Sequence, residues 1–172
     1  LKDGLQVQME GNFDVYDKRG SLSFHATSLT LAGEGLLRQQ VAELARKLER
    51  EGLMDASRKK PLPRFCERVC GVTSLSGSVI DDVKRTLARR NPLVKLQAAG
   101  CTVQGKGAPA SIIAALGIAE TACPDAILLV RGGGAFEDLM TFNDEGLARA
   151  VASCSVPVIT GIGHEPDTCI CD

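Results

Sequence analysis

Residues 126–130 read Ala-Ile-Leu-Leu-Val without a polar residue, then stop at Arg131-Gly132-Gly133-Gly134. A strand that is apolar at every position has both faces covered, which is the mark of a parallel sheet between helices. The surrounding sequence supplies the alternation such a sheet needs. Residues 68–73 read as a short strand. Residues 78–90 read as a helix with Val79, Ile80, Val83 and Leu87 on one face, ended by Asn91-Pro92. Residues 94–103 are mostly strand, broken at Gly100, and 109–121 form a helix with Pro109 in its first turn. Residues 144–153 are helical, and 156–159 start a fourth strand whose Pro157 suits a strand start or an edge. The expected fold of residues 64–172 is α/β, a parallel-sheet domain with flanking helices, truncated at its C-terminus.

The N-terminal stretch follows a different period. Leu5, Val7 and Met9 alternate, Gly11 interrupts, and Val15-Tyr16 lead into Asp17-Lys18-Arg19-Gly20 before Leu22 and Phe24 resume the alternation. This predicts strands of an antiparallel meander too short to close a sheet alone. Residues 1–33 are therefore expected to be a truncated β unit packed separately from the α/β core. Residues 34–63 are helix and linker. Leu37, Val41, Leu44 and Leu48 share a helical face, Glu43 and Lys47 form a favourable exposed pair, and Gly52 ends the helix. The stretch 55–63 is polar and proline-bounded, with Arg58-Lys59-Lys60 in a row.

Composition removes several function classes. Lys+Arg is 20 against 21 for Asp+Glu, so a globally basic nucleic-acid binder is excluded while a local basic patch is not. Aromatics are 3%, which argues against a broad aromatic platform for bases. No apolar run is long enough to cross a bilayer, and no secretory signal opens the chain. Seven scattered cysteines without a zinc spacing read as reduced thiols of a cytosolic protein.

In a parallel sheet, ligands bind outside the carboxyl ends of the strands, and four loops leave such ends here. In Thr73-Ser74-Leu75-Ser76-Gly77-Ser78, hydroxyls and free N–H groups at a helix start suit phosphate, or serve as an ordinary cap. Asp82, one turn further, falls on the border of the apolar face, whereas Asp81 points to water. Gln104-Gly105-Lys106-Gly107 taken alone reads as a flexible turn. In Arg131-Gly132-Gly133-Gly134 the glycines let N–H groups converge on an anion beside a fixed cation. The structural alternative is an Arg131 ion pair with Glu137 or Asp138. It is not a P-loop, because no Gly-Lys-Ser/Thr follows. Gly163-His164-Glu165-Pro166-Asp167 puts an imidazole among carboxylates, an arrangement for acid–base work or metal binding. His25, in the β unit, is assigned no role.

Together these loops resemble the large subunit of exodeoxyribonuclease VII. Tyr16-Asp17-Lys18-Arg19-Gly20 is similar to the last hairpin of that family's OB-fold, and Glu51-Gly52-Leu53-Met54-Asp55 with Arg58-Lys59-Lys60-Pro61-Leu62-Pro63 to its linker. Thr73-Ser74, Gly77 and Asp82 match its first loop and Gln104-Gly105 its second. Val130-Arg131-Gly132-Gly133-Gly134, Glu137-Asp138-Leu139 and Phe142-Asn143-Asp144-Glu145 match its longest motif. Pro157-Val158-Ile159, Gly163-His164-Glu165, Asp167 and Asp172 match its last. Departures are Cys70-Gly71 for the usual Gly-Val, Ala135 for Ser, Met140 for Trp and Pro166 for Thr.

The resemblance implies a cytoplasmic exonuclease that hydrolyses single-stranded DNA from both ends to oligonucleotides and then shorter products. It implies assembly with several copies of a small helical subunit through a C-terminal region outside this chain. It makes residues 1–33 the end of an OB-fold and places catalytic roles on Asp82, Arg131, His164 and Asp167. Thr73, Ser74, Gly77, Gly132, Gly133 and Gly134 are the phosphate-binding candidates. Metal use is open between none and Mg²⁺, with Asp82, Asp167 and Asp172 as candidate ligands. Two other readings stand beside hydrolysis. One is a non-catalytic nucleotide or phosphate-binding domain, which needs no His164–Asp167 pair. The other is a DNA-binding scaffold gripping the backbone with Lys84, Arg85, Arg89 and Arg90.

Overall fold

The structure, a computed structural model, describes residues 7–16, 20–31, 34–165 and 167–172. Leu5, residues 17–19 and Pro166 lie outside the described residues. The chain forms two compact units, one up to Ala42 and one from Glu43 on. The division falls within the first helix, α1 (Glu34–Arg50).

The first unit carries an antiparallel hairpin of β1 (Val7–Tyr16) and β2 (Ser21–Leu31), the two-strand pattern expected from the alternation. The register slips between Glu10 and Gly11. A Cβ on Gly11 would come 2.8 Å from Ala26 Cα, so the bulge requires a glycine where the backbones meet.

The second unit contains the expected α/β fold, a parallel sheet with flanking helices. Its strands are β3 (Arg68–Thr73), β4 (Lys95–Gly100), β5 (Ala126–Arg131) and β6 (Val158–Ile162). They pair in parallel in the order β4-β3-β5-β6. The helices α2 (Ser78–Arg90), α3 (Ala108–Thr121) and α5 (Glu145–Ser153) make the crossovers, and the short α4 (Phe136–Leu139) follows β5. From β3 the chain steps one way to β4, then returns past β3 to β5 and continues to β6. Right-handed crossovers therefore put α2 on one face and α3 and α5 on the other, and α3 indeed packs against α5.

The α3/α5 face holds the main core. Cys70 and Val72 of β3 and Ile127 and Leu129 of β5 pack with Ile112, Ala115 and Leu116 of α3 and Leu147 of α5. Phe142, fully buried, contributes roughly 1.5–3 kcal/mol by leaving water. On the other face Ile80 of α2 lies over Gly71, where a Cβ would stand in ordinary contact, 3.6 Å from Ile80 Cδ1.

The elements sit close to their expected places. β6 begins at Val158 rather than at 156, because Pro157 has no N–H to give the ladder; its carbonyl still accepts the Ile127 N–H at 3.0 Å. β4 ends at Gly100, where the sequence suggested a break. All seven cysteines are free thiols.

The linker is tied down at points. Asp55 caps a 3₁₀ turn, accepting the Ser57 N–H, and Lys60 donates to the Cys154 carbonyl. Lys47 and Arg149 meet at Glu145, and Arg149 also reaches Glu51 at 2.6 Å. No helix among the described residues is long and apolar enough to cross a membrane.

Candidate active site

The sheet order sets the location. The direction of strand addition reverses between β3 and β5, so the loops leaving these two strands splay apart and open a crevice beyond their carboxyl ends. A cleft of about 430 Å³ lies there. It is lined by Thr73, Ser74, Gly77 and Ser78 from the β3–α2 loop, Cys101 to Gln104 after β4, and Arg131, Gly132 and Gly133 after β5.

Arg131 is the last residue of β5, on the core-facing side with Leu129, and only 7% of it is exposed. Its Nη1 donates to the Gly132 carbonyl at 3.0 Å, and Nη2 lies 3.5 Å from Asp138 Oδ2. The ion pair weighed as a structural alternative therefore exists, but Asp138 is half exposed and the contact is long. The guanidinium lies against Gly134, where a Cβ would come 2.7 Å from Cζ. Only glycine leaves room for the arginine to turn in this loop.

Thr73 is 2% exposed and lines the cleft, yet its hydroxyl makes no hydrogen bond among the described residues. No buried side-chain polar atom among the described residues lacks a partner, so the Thr73 hydroxyl keeps some exposure, toward the cleft that the residue lines. The N-cap of α2 is Gly77, which offers no side chain to its first N–H groups, and Gly77, Ser78 and Val79 line the same cleft.

His164 adjoins the cleft from β6. The Gly163 N–H donates to the Arg131 carbonyl at 3.0 Å, fastening the two loops. Gly163 takes φ +75°, a turn L side chains avoid, and swings the chain back over the β5 loop. The imidazole then packs on Gly133, where a Cβ would overlap the ring, 2.8 Å from Nδ1. Asp167 closes the turn. Its Oδ2 accepts the His164 N–H at 2.6 Å and lies 3.6 Å from Nδ1, while its own N–H returns to the His164 carbonyl at 2.8 Å. Nδ1 is the ring nitrogen near the carboxylate, while Cε1 and Nε2 lie over Gly133. The ring is 73% exposed.

Arg131, Gly132, Gly133, Thr73, Ser74 and Gly77 thus line one cleft; His164 and Asp167 do not line it but adjoin it, through the ring's packing on Gly133 and the Gly163–Arg131 bond, and Gly134 lies behind the guanidinium. Asp82 stands elsewhere. It is not among the lining residues; its carboxylate is 62% exposed and pairs with Arg85 at 3.3 Å. Ile80 is the buried residue of α2, and that rotation leaves Asp82 exposed to solvent, one turn below Ser78. Asp172 accepts the Cys169 N–H at 2.8 Å.

Carboxylate oxygens are suitable ligands for Mg²⁺, but Asp82, Asp167 and Asp172 are each engaged separately. No three metal-ligating side chains gather among the described residues, so as one set they do not fit such a site.

Sequence reasoning passed over one polar residue. Asn143 is 6% exposed and its Oδ1 accepts the Ile170 N–H at 2.9 Å, anchoring the segment that follows Asp167. Its place in Phe142-Asn143-Asp144-Glu145 was the available signal.

Residues 53–172 match the family described as "Exonuclease VII, large subunit". Among curated proteins, the chain is similar to the exodeoxyribonuclease 7 large subunit of Pseudomonas putida, 42% identical over 172 residues, covering all of this chain and 38% of the relative. The subunit of that name from Campylobacter hominis is 43% identical over 99% of this chain and 44% of its own length. That from Legionella pneumophila is 43% identical over the whole chain and 39% of its own length. The chain thus spans well under half the length of these relatives.

Proposed function

The chain belongs to the exonuclease VII large-subunit family, and from that premise we propose that it is the catalytic portion of a nuclease that hydrolyses phosphodiester bonds in DNA. The substrate is single-stranded DNA, cut from both ends to oligonucleotides and then shorter pieces. The observation that carries the reading is the nearly buried Arg131 at the sheet's switch point, in one cleft with a glycine loop and fastened to the His164 turn.

The proposed chemistry follows from the geometry. A phosphate seated in the cleft accepts from the Arg131 guanidinium, from N–H groups of residues 132–134 and α2, and from the Thr73 and Ser74 hydroxyls. The guanidinium exchanges its long contact with Asp138 for a charge-assisted bond to the phosphate. As water oxygen bonds to phosphorus and the ester P–O bond breaks, charge grows on the phosphoryl oxygens, where these donors are already aimed. His164 moves the proton, taking it from the water or giving it to the leaving oxygen, and contributes about 10²–10⁴-fold. Asp167 holds the His164 turn through the backbone N–H and places a carboxylate beside the ring. Asp82 is proposed to hold water, acting from outside the cleft lining.

The partners proposed are several copies of a small subunit, bound through a region of the longer protein beyond this chain, and the site of action is the cytoplasm. The residues 1–33 are proposed as the end of an OB-fold. The test is to incubate the full-length large subunit, co-expressed with its small subunit, with strands labelled at either end, with and without chelator. Short labelled products from both ends support the reading; intact strands under every condition overturn it.

A further inference from the structure

The amino edge of the sheet, opposite the cleft, shows two large apolar side chains to solvent. Phe65 is 79% exposed and Leu93 87%. The backbone ties their segments together: the Lys95 N–H donates to the Glu67 carbonyl at 2.8 Å, setting the turn between α2 and β4 beside the approach to β3. The Arg64 guanidinium carbon lies 5.7 Å from the centre of the Phe65 ring. Arg89 and Arg90 end α2 at this edge, and Lys95 opens β4.

None of Arg64, Arg89, Arg90 and Lys95 makes an ion pair among the described residues. The contrast lies within one helix. Lys84 is taken by Asp81 at 3.1 Å and Arg85 by Asp82 at 3.3 Å, so the middle of α2 is neutralised and its end is not. The chain as a whole carries a net charge of −1, so uncommitted cations at one edge are a local feature. Cations at a helix C-terminus suit the helix dipole, which accounts for Arg89 and Arg90 but not for Arg64, Phe65 or Leu93. The nearby Asp125 carboxylate is occupied by the Glu67 and Arg68 N–H groups at 2.7 and 2.8 Å.

We propose that this edge is a second binding site for single-stranded DNA, with an unpaired base stacked on Phe65 beside Arg64 and adjacent phosphates along Arg89, Arg90 and Lys95. The choice of DNA as the polyanion rests on the function proposed above. One exposed ring with a cation on it suits any base, because every base offers a π-face. It is a single anchor, compatible with a chain so poor in aromatics. β3 separates the two edges by six residues, or about 20 Å. The site acts by holding long strands while their ends enter the cleft, and it takes no part in the chemistry.

The test uses the full-length subunit with its partner. Binding of a strand of about 30 thymidines is measured in a His164→Ala background across a salt series, and cleavage is measured in the otherwise native enzyme on strands of about 4 and about 30 nucleotides. Phe65→Ala and Phe65→Leu weaken long-strand binding about tenfold, and Phe65→Tyr preserves it. Arg89→Ala with Arg90→Ala lowers the slope of log affinity against log salt by about 1.4, at about 0.7 per phosphate released. Cleavage of the short strand is unchanged in all of them. Wild-type binding by Phe65→Leu overturns base stacking, and an unchanged salt slope overturns the phosphate path. Equal loss on short and long strands overturns a separate site. Loss of small-subunit assembly with DNA binding intact makes the edge a protein interface and also overturns the proposal. A native enzyme that cuts nothing refutes the proposed function, while the binding measurements still decide this site.

Discussion

Gly133→Ala separates the chemistry of the site from its stability. A methyl group at this position would overlap the His164 imidazole. Backbone strain is not the issue, because Gly133 does not take a positive φ. The ring is the far end of a side chain that is 73% exposed, so it moves aside by changing rotamer at a cost of order 0.5–1.5 kcal/mol. Removing a glycine's freedom from the unfolded chain returns about 0.4–1 kcal/mol. The two nearly cancel, and the melting temperature stays within about 3 °C of wild type. Activity behaves differently, since a displaced imidazole no longer reaches the phosphate in the Arg131 cleft. The loss approaches the full general acid–base contribution, about 10²–10⁴-fold in kcat. The assay is steady-state cleavage of an end-labelled single strand by the full-length enzyme with its small subunit, beside a thermal melt. Full activity with an unchanged melt refutes the placement of His164 over Gly133 in the working enzyme. A large drop in stability refutes the claim that the ring yields freely.

Asp167→Asn keeps an oxygen for the His164 N–H and removes the charge facing Nδ1; cleavage falls at least tenfold with the melting temperature little changed, while Asp167→Ala lowers both. On the alkaline side, burial pushes the Cys101 and Cys154 thiols up to about 11 from 9.0. The folded chain holds these protons more tightly than the unfolded chain, so stability falls as pH rises from about 9 to about 11, and denaturant unfolding of Cys101→Ala with Cys154→Ala shows a flatter decline there. On the acid side, the Ser155 hydroxyl and N–H hold the Glu120 carboxyl below its usual 4.5. That stability is present above pH 4.5 and is lost as pH falls, and Glu120→Gln flattens the acid limb of the same curve.

Much of this arrangement is legible in the residues themselves. Ala126 to Val130 reads as a strand of a parallel sheet, with Ile127 and Leu129 buried and Leu128 and Val130 partly covered on the other face, and the polar Arg131 at its end marks the edge where ligands bind. The turn carrying His164 follows from its glycines and from the strand before it. The parts that escaped depend on tertiary detail. Asp82 lies on the border of the α2 apolar face, and whether it faces the cleft or solvent is decided by how Val79 and Ile80 pack on Gly132 and Gly71. The α4 turn has no 3.6-residue stripe. Phe136, Leu139 and Phe142 recur every third residue, the spacing of a 3₁₀ turn, which the helix that follows Leu139 adopts. Thr73 looks like an ordinary loop-end residue until its burial beside the cleft is known.

The central claim is that Arg131 binds the phosphate and His164 moves the proton. Cleavage rate and single-strand affinity of His164→Ala and Arg131→Ala, measured in the full-length enzyme at one fixed salt concentration, test it most directly. His164→Ala loses about 10²–10⁴-fold in rate with affinity nearly unchanged, because polyanion binding comes mostly from charge neutralisation. Arg131→Ala is predicted to lose both rate and affinity. If His164→Ala weakens binding as much as it slows cleavage, or if Arg131→Ala leaves both intact, the assignment of these two residues is contradicted.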